Sequence, residues 1–322
     1  MRERFFPDFD WHTVFVQPWT EFGDNSFWIV LMGFLVSGTC GLVGCFVILR
    51  RMALVGDAIS HSLLPGITLA FLFTNSRDTL PMMIGAIVAG MTTVAMIEAI
   101  RYSSRVKPDA AIGIVFSSLF AIGVILISVY ADKIDLDAEC VLYGELGFIP
   151  FQDVAVFGGQ EIGPEPVARM AIIALIAIVL LFLFFKELLV TSFDSGLAAS
   201  LGINPVRYQY GLTLFLSIVI VSSFESVGVV LVIAMIIFPG ATALMLTDRL
   251  PLAIWLSVLF SALYAGLGFH LATWLNASIA GGMTVIAGMI FGLVWVFAPN
   301  RGLLAKFAKR KPSRNSIELE SA

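Results

Sequence analysis

Apolar runs of about 18 to 23 residues recur along this chain between short polar stretches, and each is long enough to cross a hydrocarbon core roughly 30 Å thick. They lie near Phe27 to Leu49, Leu54 to Phe73, Pro81 to Ile100, Ala110 to Tyr130, Ala168 to Phe185, Gly211 to Ser223, Val227 to Leu246, Leu252 to Leu275 and Met283 to Phe297. The pattern predicts an all-α polytopic membrane protein with about eight or nine transmembrane helices. The sixth run is short, and Ser223-Phe-Glu-Ser-Val-Gly228 parts it from the seventh. Either that span tilts little in a locally thin region, or the segment around Glu225 is an irregular turn buried in protein, which membranes tolerate where it lines a cavity. No internal repeat is evident.

The flanks differ in character. Residues 1–26 mix acids with Phe5, Phe6, Phe9, Trp11, Phe15 and Trp19, which suits a segment at the external membrane interface. No short apolar core there ends at a small-residue cleavage site, so no removable signal is expected. Residues 27–300 form the transmembrane domain, and 301–322 read as a basic, then polar, cytoplasmic tail. The 322 residues are 59% hydrophobic and 13% charged, with a mean hydropathy of +0.95. Cys40, Cys45 and Cys140 make no even-numbered framework, and no structural disulfide is expected.

The net charge of -4 matters less than how the charges are sorted. With nine passes, Arg50, Arg51, Arg101, Arg105, Lys107, Lys186, Arg207, Arg249 and the basic tail fall on one side, against Arg2, Arg4, Arg77, Lys133 and Arg169 on the other. The positive-inside rule then places the N-terminus outside and the C-terminus in the cytoplasm. The acidic connection 131–167 becomes external and the polar loop 186–210 cytoplasmic. Nothing in this arrangement suits a nucleic-acid partner.

One run carries chemistry. In Leu54-Val-Gly-Asp-Ala-Ile-Ser-His-Ser-Leu-Leu-Pro-Gly66, Asp57 and His61 stand four apart, which puts both on one helix face within reach of one cation. Pro65 removes a backbone donor one turn later, and Gly66 permits close approach of another backbone. An ionisable pair beside a helix irregularity at membrane depth points to a transport site. The bland alternatives are a capping or helix-bonded carboxylate and a buried imidazole bonded to a carbonyl. A hard carboxylate with an imidazole suits manganese, ferrous iron or zinc, and the absence of a thiolate argues against a soft metal. Two ligands are too few for a full shell, and a two-fold dimer would supply two more.

The cytoplasmic loop reads Thr191-Ser-Phe-Asp-Ser-Gly-Leu-Ala-Ala-Ser-Leu-Gly-Ile-Asn-Pro205. It predicts a short helix capped by Ser195 or Asp194, with Leu197, Ala198 and Leu201 on one face and Gly202 just past its C-terminus. It is either an amphipathic connector resting on the membrane or a coupling helix that enters a groove on a soluble ATPase.

Gly56-Asp-Ala-Ile-Ser-His-Ser-Leu-Leu-Pro-Gly66 resembles the second-helix motif of the ABC importer permeases for manganese, zinc and iron. Phe193-Asp-Ser-Gly-Leu-Ala-Ala-Ser-Leu-Gly202 is similar to their coupling-helix segment. Further similarity lies in Asp109-Ala-Ala-Ile-Gly-Ile-Val-Phe116, Val227-Gly-Val-Val-Leu-Val-Ile-Ala-Met-Ile-Ile-Phe-Pro-Gly-Ala-Thr-Ala243 and Phe297-Ala-Pro-Asn-Arg-Gly-Leu-Leu304. The resemblance spans roughly residues 27–305. It implies a type II ABC importer permease, working as a homo- or heterodimer of permease chains around a central path. Its other implied partners are a cytoplasmic ABC ATPase dimer and an extracytoplasmic metal-binding lipoprotein. By the same resemblance Asp57 and His61 hold the metal, which is cargo and no permanent cofactor, and Asp194, Ala198 and Gly202 belong to the ATPase-coupling segment. The acidic external loop, with Tyr143-Gly-Glu145 and the Gly158-to-Pro166 stretch, is longer than in the plainest members.

Other residues weigh less. Glu225 is a candidate entrance-lining residue on the outer side, or a cap of the next helix. His12 reads as a surface residue and His270, in Gly268-Phe-His-Leu-Ala272, as a bonded interface histidine. Phe157-Gly-Gly-Gln160 occurs without any Gly-x-x-x-x-Gly-Lys-[Ser/Thr], so ATP hydrolysis belongs to another chain and this one is a translocation subunit, not an enzyme. The alternatives are an ion-coupled secondary metal transporter and an ABC permease for a metal chelate.

Overall fold

The computed structural model describes residues 7–75, 79–130, 146–157, 160–299 and 301–305. Cys140 and Tyr143-Gly-Glu145 lie outside the described residues, as do the two glycines of Phe157-Gly-Gly-Gln160. The helices are α1 (Gln17–Thr20), α2 (Gly23–Leu49), α3 (Ala53–Thr74), α4 (Thr79–Ser103), α5 (Pro108–Tyr130), α6 (Glu165–Leu183), α7 (Phe185–Phe193), α8 (Ser195–Ser200), α9 (Pro205–Leu246), α10 (Leu250–Leu275) and α11 (Ile279–Phe297). Eight helical stretches among the described residues are long and apolar enough to cross a membrane, and Val230–Leu246 is a shorter apolar one. Helices answer the membrane constraint directly, since each satisfies its backbone polar groups within its own segment.

Several boundaries move from the sequence expectation. The third span starts at Thr79 and continues to Ser103, and the ninth starts at Ile279. The polar loop 186–210 is largely helical, forming α7, α8 and the first turns of α9. The described part of the acidic connection is ordered too, with a 3-10 turn at Leu146–Phe151 and an antiparallel hairpin of β1 (Val154–Phe157) and β2 (Gln160–Pro164). Gly163, at φ +139°, lets this hairpin lie against the Trp28 ring, where any side chain would collide.

Runs six and seven resolve as a buried irregular turn. They form one element, α9, broken at Gly228, whose φ of 76° and ψ of 167° lie outside any helix. The two halves fold back on each other. A methyl group on Gly56 would touch the side chains of both Ile236 (3.1 Å) and Ile220 (4.0 Å). In one straight helix those two residues would stand about 24 Å apart. Both ends of α9 therefore reach the same end of the bundle. Arg207 lines a cavity with Phe184 and Leu188, while Arg301 bonds the Leu244 carbonyl and pairs with Asp248 near the other end. Ser226 and Val227 at the turn are buried, so its freed backbone groups lie inside protein and not in lipid.

The centre of the bundle is α2. Met32, Val36, Cys40, Val43 and Phe46 are fully buried, and small residues let neighbours approach closely. Added methyl groups would overlap the Ile236 carbonyl at Gly44 and the Pro239 ring at Gly41. On the far end, His270 of α10 holds the N-terminal turn, with its Nδ1 2.9 Å from the Val14 carbonyl and the Trp19 indole donating to its Nε2 at 3.4 Å.

Gly228→Ala should destabilise the purified protein by about 1–3 kcal/mol, because this backbone conformation is nearly closed to residues with a Cβ. Gly44→Ala should cost a similar amount, about 1–3 kcal/mol, through overpacking. Gly113→Ala, with nothing within 4 Å of the new methyl, is the control and should be neutral or stabilising. Thermal unfolding in detergent followed by size-exclusion chromatography measures all three.

Candidate functional site

The first three turns of α3 hold the candidate pair. Asp57 and His61 project from one face, with His61 Nε2 3.4 Å from Asp57 Oδ1, while Ala58, Ile59, Ser62 and Leu63 fill the buried face. The side chains remain 39% and 27% exposed respectively, so both are open to a further ligand. The pair lies near mid-depth. Gly90, midway along α4, packs against Ile59 of α3 and Ser217 of α9, so the start of α3 is recessed into the bundle.

Three contacts fix α3 there. Its Gly66 meets Gly85 of α4 so closely that a methyl on either would overlap the other's backbone. The Thr93 hydroxyl donates to Ser62 Oγ at 2.6 Å, tying α4 to the residue beside His61. On α5, Gly123 lies under Pro65, where a methyl would come within 2.8 Å of the proline Cδ. Pro65 has no amide hydrogen, so the carbonyl of His61 loses its usual donor four residues on. Further along, buried Glu98 of α4 accepts from Arg101 at 2.5 Å and from Gln209 of α9 at 2.7 Å, which holds those two helices together.

Two site residues escaped the sequence reading. The His61 ring lies 5.1 Å from Phe116 and 5.6 Å from Phe120, both on α5, and the two phenyl rings stack on each other at 6.0 Å. They form an apolar wall behind the imidazole and restrict its rotamer. Their spacing of four on an otherwise aliphatic helix was the available signal, but nothing in the sequence said which helix would face His61. Among the described residues no group of three or more His, Cys, Asp or Glu could hold a metal. A single chain thus brings together two candidate ligand side chains, Asp57 and His61.

The remaining candidates lie elsewhere. His12 is exposed on the N-terminal turn, and His270 is engaged with that turn. Glu225 belongs to α9 three residues before the break, and its side chain lies outside the described residues. Asp194 caps α8, its Oδ1 accepting from the amides of Gly196 (2.9 Å) and Leu197 (3.0 Å). Gly202 ends α8 at φ +80°, with the Gly202 and Ile203 amides returning to the carbonyls of Ala199 and Ala198. Leu197, Ala198 and Leu201 do not share one face as expected. Ala198 is fully buried against the bundle, whereas Leu197 (51%), Leu201 (62%) and Phe193 (63%) are exposed. Folding α8 back onto α7 turns the alanine inward and leaves an apolar outer face.

A profile of the ABC 3 transport family matches residues 24–298. Over 279 residues the chain is 45% identical to the manganese transport system membrane protein MntD of Bacillus subtilis (strain 168), which spans 87% of this chain and 94% of that protein. It is 41% identical over 278 residues to the zinc transport system membrane protein TroD of Treponema pallidum (strain Nichols), across 86% of this chain and 75% of that one. Among solved structures, PsaBC from Streptococcus pneumoniae in complex with Fab is similar at a TM-score of 0.73 and 33% identity, over 93% of this chain and 99% of that chain. With its multi-pass helical architecture and a match across nearly the whole bundle, the chain belongs to the ABC 3 transport family.

Proposed function

We propose that this chain is the permease subunit of an ATP-driven importer that moves a divalent transition metal, manganese, zinc or ferrous iron, into the cytoplasm. The observation that carries the reading is the Asp57–His61 pair, half-exposed at mid-depth on α3 and short of a complete ligand set. A carboxylate oxygen and an imidazole nitrogen suit these borderline cations. A second permease chain, identical or related, would bring its own pair across a two-fold axis and complete a four-ligand site. An ion held between two chains is released when they separate, which a transporter needs.

Charge supports the orientation. Arg50, Arg207, Arg249 and Arg301 gather at the end that carries α7 and α8, so this end is read as cytoplasmic in a bacterial inner membrane. The exposed face of Phe193, Leu197 and Leu201 is then available to a cytoplasmic ATPase subunit, with Asp194 and Gly202 fixing the helix that presents it. The N-terminal turn and the β1–β2 hairpin lie at the opposite end, where an extracytoplasmic metal-binding lipoprotein would deliver its ion. We read Glu225, three residues before the Gly228 break, as a residue of that outer entrance.

Asp57→Ala and His61→Ala should each reduce import by about tenfold or more, since even supporting residues of metal sites cost 10–100-fold. The measurement is uptake of manganese, zinc and ferrous iron by cells expressing the complete system, with assembly checked by co-purification. Normal uptake in both variants would sink the site. Leu197→Asp with Leu201→Asp should abolish co-purification of the ATPase while leaving the permease folded. Retention of the ATPase would overturn this face as its docking surface, and import that continues without ATP hydrolysis would instead favour an ion-coupled transporter.

A further inference from the structure

Arg50 follows the last residue of α2, and its guanidinium reaches across to α7. Its Nε donates to Ser192 Oγ at 3.0 Å and its Nη2 to Thr191 Oγ1 at 2.7 Å. Each hydroxyl in turn donates to a carbonyl of α7, Thr191 to Glu187 at 2.7 Å and Ser192 to Leu188 at 2.6 Å. The hydroxyls are therefore fixed to the backbone of α7, and the rigid guanidinium fork grips both at once. The side chain is half-buried, and no carboxylate among the described residues pairs with it. What joins α2 to α7 here is a directed contact, not a general attraction of opposite charges.

On its other side Arg50 leads into α3 with little slack. The Arg51 and Met52 amides bond back to the carbonyls of Ile48 (2.9 Å) and Val47 (3.0 Å), closing the end of α2, and α3 begins at Ala53. Arg51 stands at φ 56°, a left-handed conformation that is unfavourable for a non-glycine residue and persists only in an over-determined turn. Thr191 and Ser192, the other partners, directly precede Phe193 and the α8 cap Asp194. A displacement of α8 is thus one helix end from Arg50, and Arg50 is one tight turn from the helix that carries Asp57 and His61.

We propose that Arg50 is the positioning residue through which the segment 185–204 sets the position of α3, and with it the two halves of the metal site. The inference rests on the permease reading above. An ATP-driven movement of α8 pulls on Thr191 and Ser192. The fork carries that pull to the turn 50–52, and the closed turn passes it to α3 as a rigid displacement. The route is physically contiguous from α8 through α7 and Arg50 to α3.

The test uses proteoliposomes containing the complete permease–ATPase complex, and it reads manganese, zinc and ferrous ions imported per ATP hydrolysed. With Arg50→Met, and independently with Thr191→Val plus Ser192→Ala, this ratio should fall at least about fivefold, a shift of about 1 kcal/mol in coupling. Thr191→Ser, which keeps the hydroxyl, should hold the wild-type ratio. A merely structural role lowers import and hydrolysis together, so an unchanged ratio in the variants, at any absolute rate, overturns the proposal. Should Arg50→Met fail to assemble, the hydroxyl variant decides by the same criterion. Failure of the permease reading looks different, because the wild-type complex itself would then import metal without hydrolysing ATP.

Discussion

Ile236 sits where three helices meet, and the approach of two glycines to it constrains the rest of the bundle. Its carbonyl occupies the space a side chain would need at Gly44 of α2, and its side chain covers Gly56 of α3. Lipid tails give no hydrophobic reason for helices to associate, so close packing and backbone contact supply the attraction. Glycine at both positions lets α2 and α3 approach the returning half of α9 from two directions. The recessed start of α3 follows from that contact. So does the placement of Asp57, one residue beyond Gly56, at mid-depth and not at the membrane surface.

The reversal at Gly228 serves the same end. Folding α9 back on itself gives α3 a paired surface, Ile220 from one half and Ile236 from the other. A broken helix inside a membrane leaves backbone groups without intrahelical partners, which costs several kcal/mol each if they meet lipid. Burial of Ser226 and Val227 keeps the break within protein.

Among the described residues one chain brings only two candidate ligand side chains together here, Asp57 and His61. The Phe116–Phe120 wall limits how far the His61 ring can swing. Thr93 ties α4 to α3, Glu98 ties α4 to α9, and Arg50, in the turn before α3, ties the end of α2 to α7. Segments distant in sequence are thus joined by a few directed hydrogen bonds.

Much of this was legible in the residues taken alone. Apolar runs of membrane length determined the helical class, because no other open structure satisfies its backbone in lipid. The spacing of Asp57 and His61 determined that they share a face, and Asp194 and Gly202 determined the ends of α8, since caps and left-handed residues are local chemistry. Non-local contacts decided the rest. Whether runs six and seven were a thin span or a buried turn depended on Gly228, whose positive φ gains meaning only from what packs around it. The helical period expects Ala198 on one face with Leu197 and Leu201, and folding of α8 onto α7 turns it inward. Phe116, Phe120 and Arg50 carry no signal that names their partners, because side-chain pairs between helices are set by how the helices cross, and a helical period records only which face is apolar.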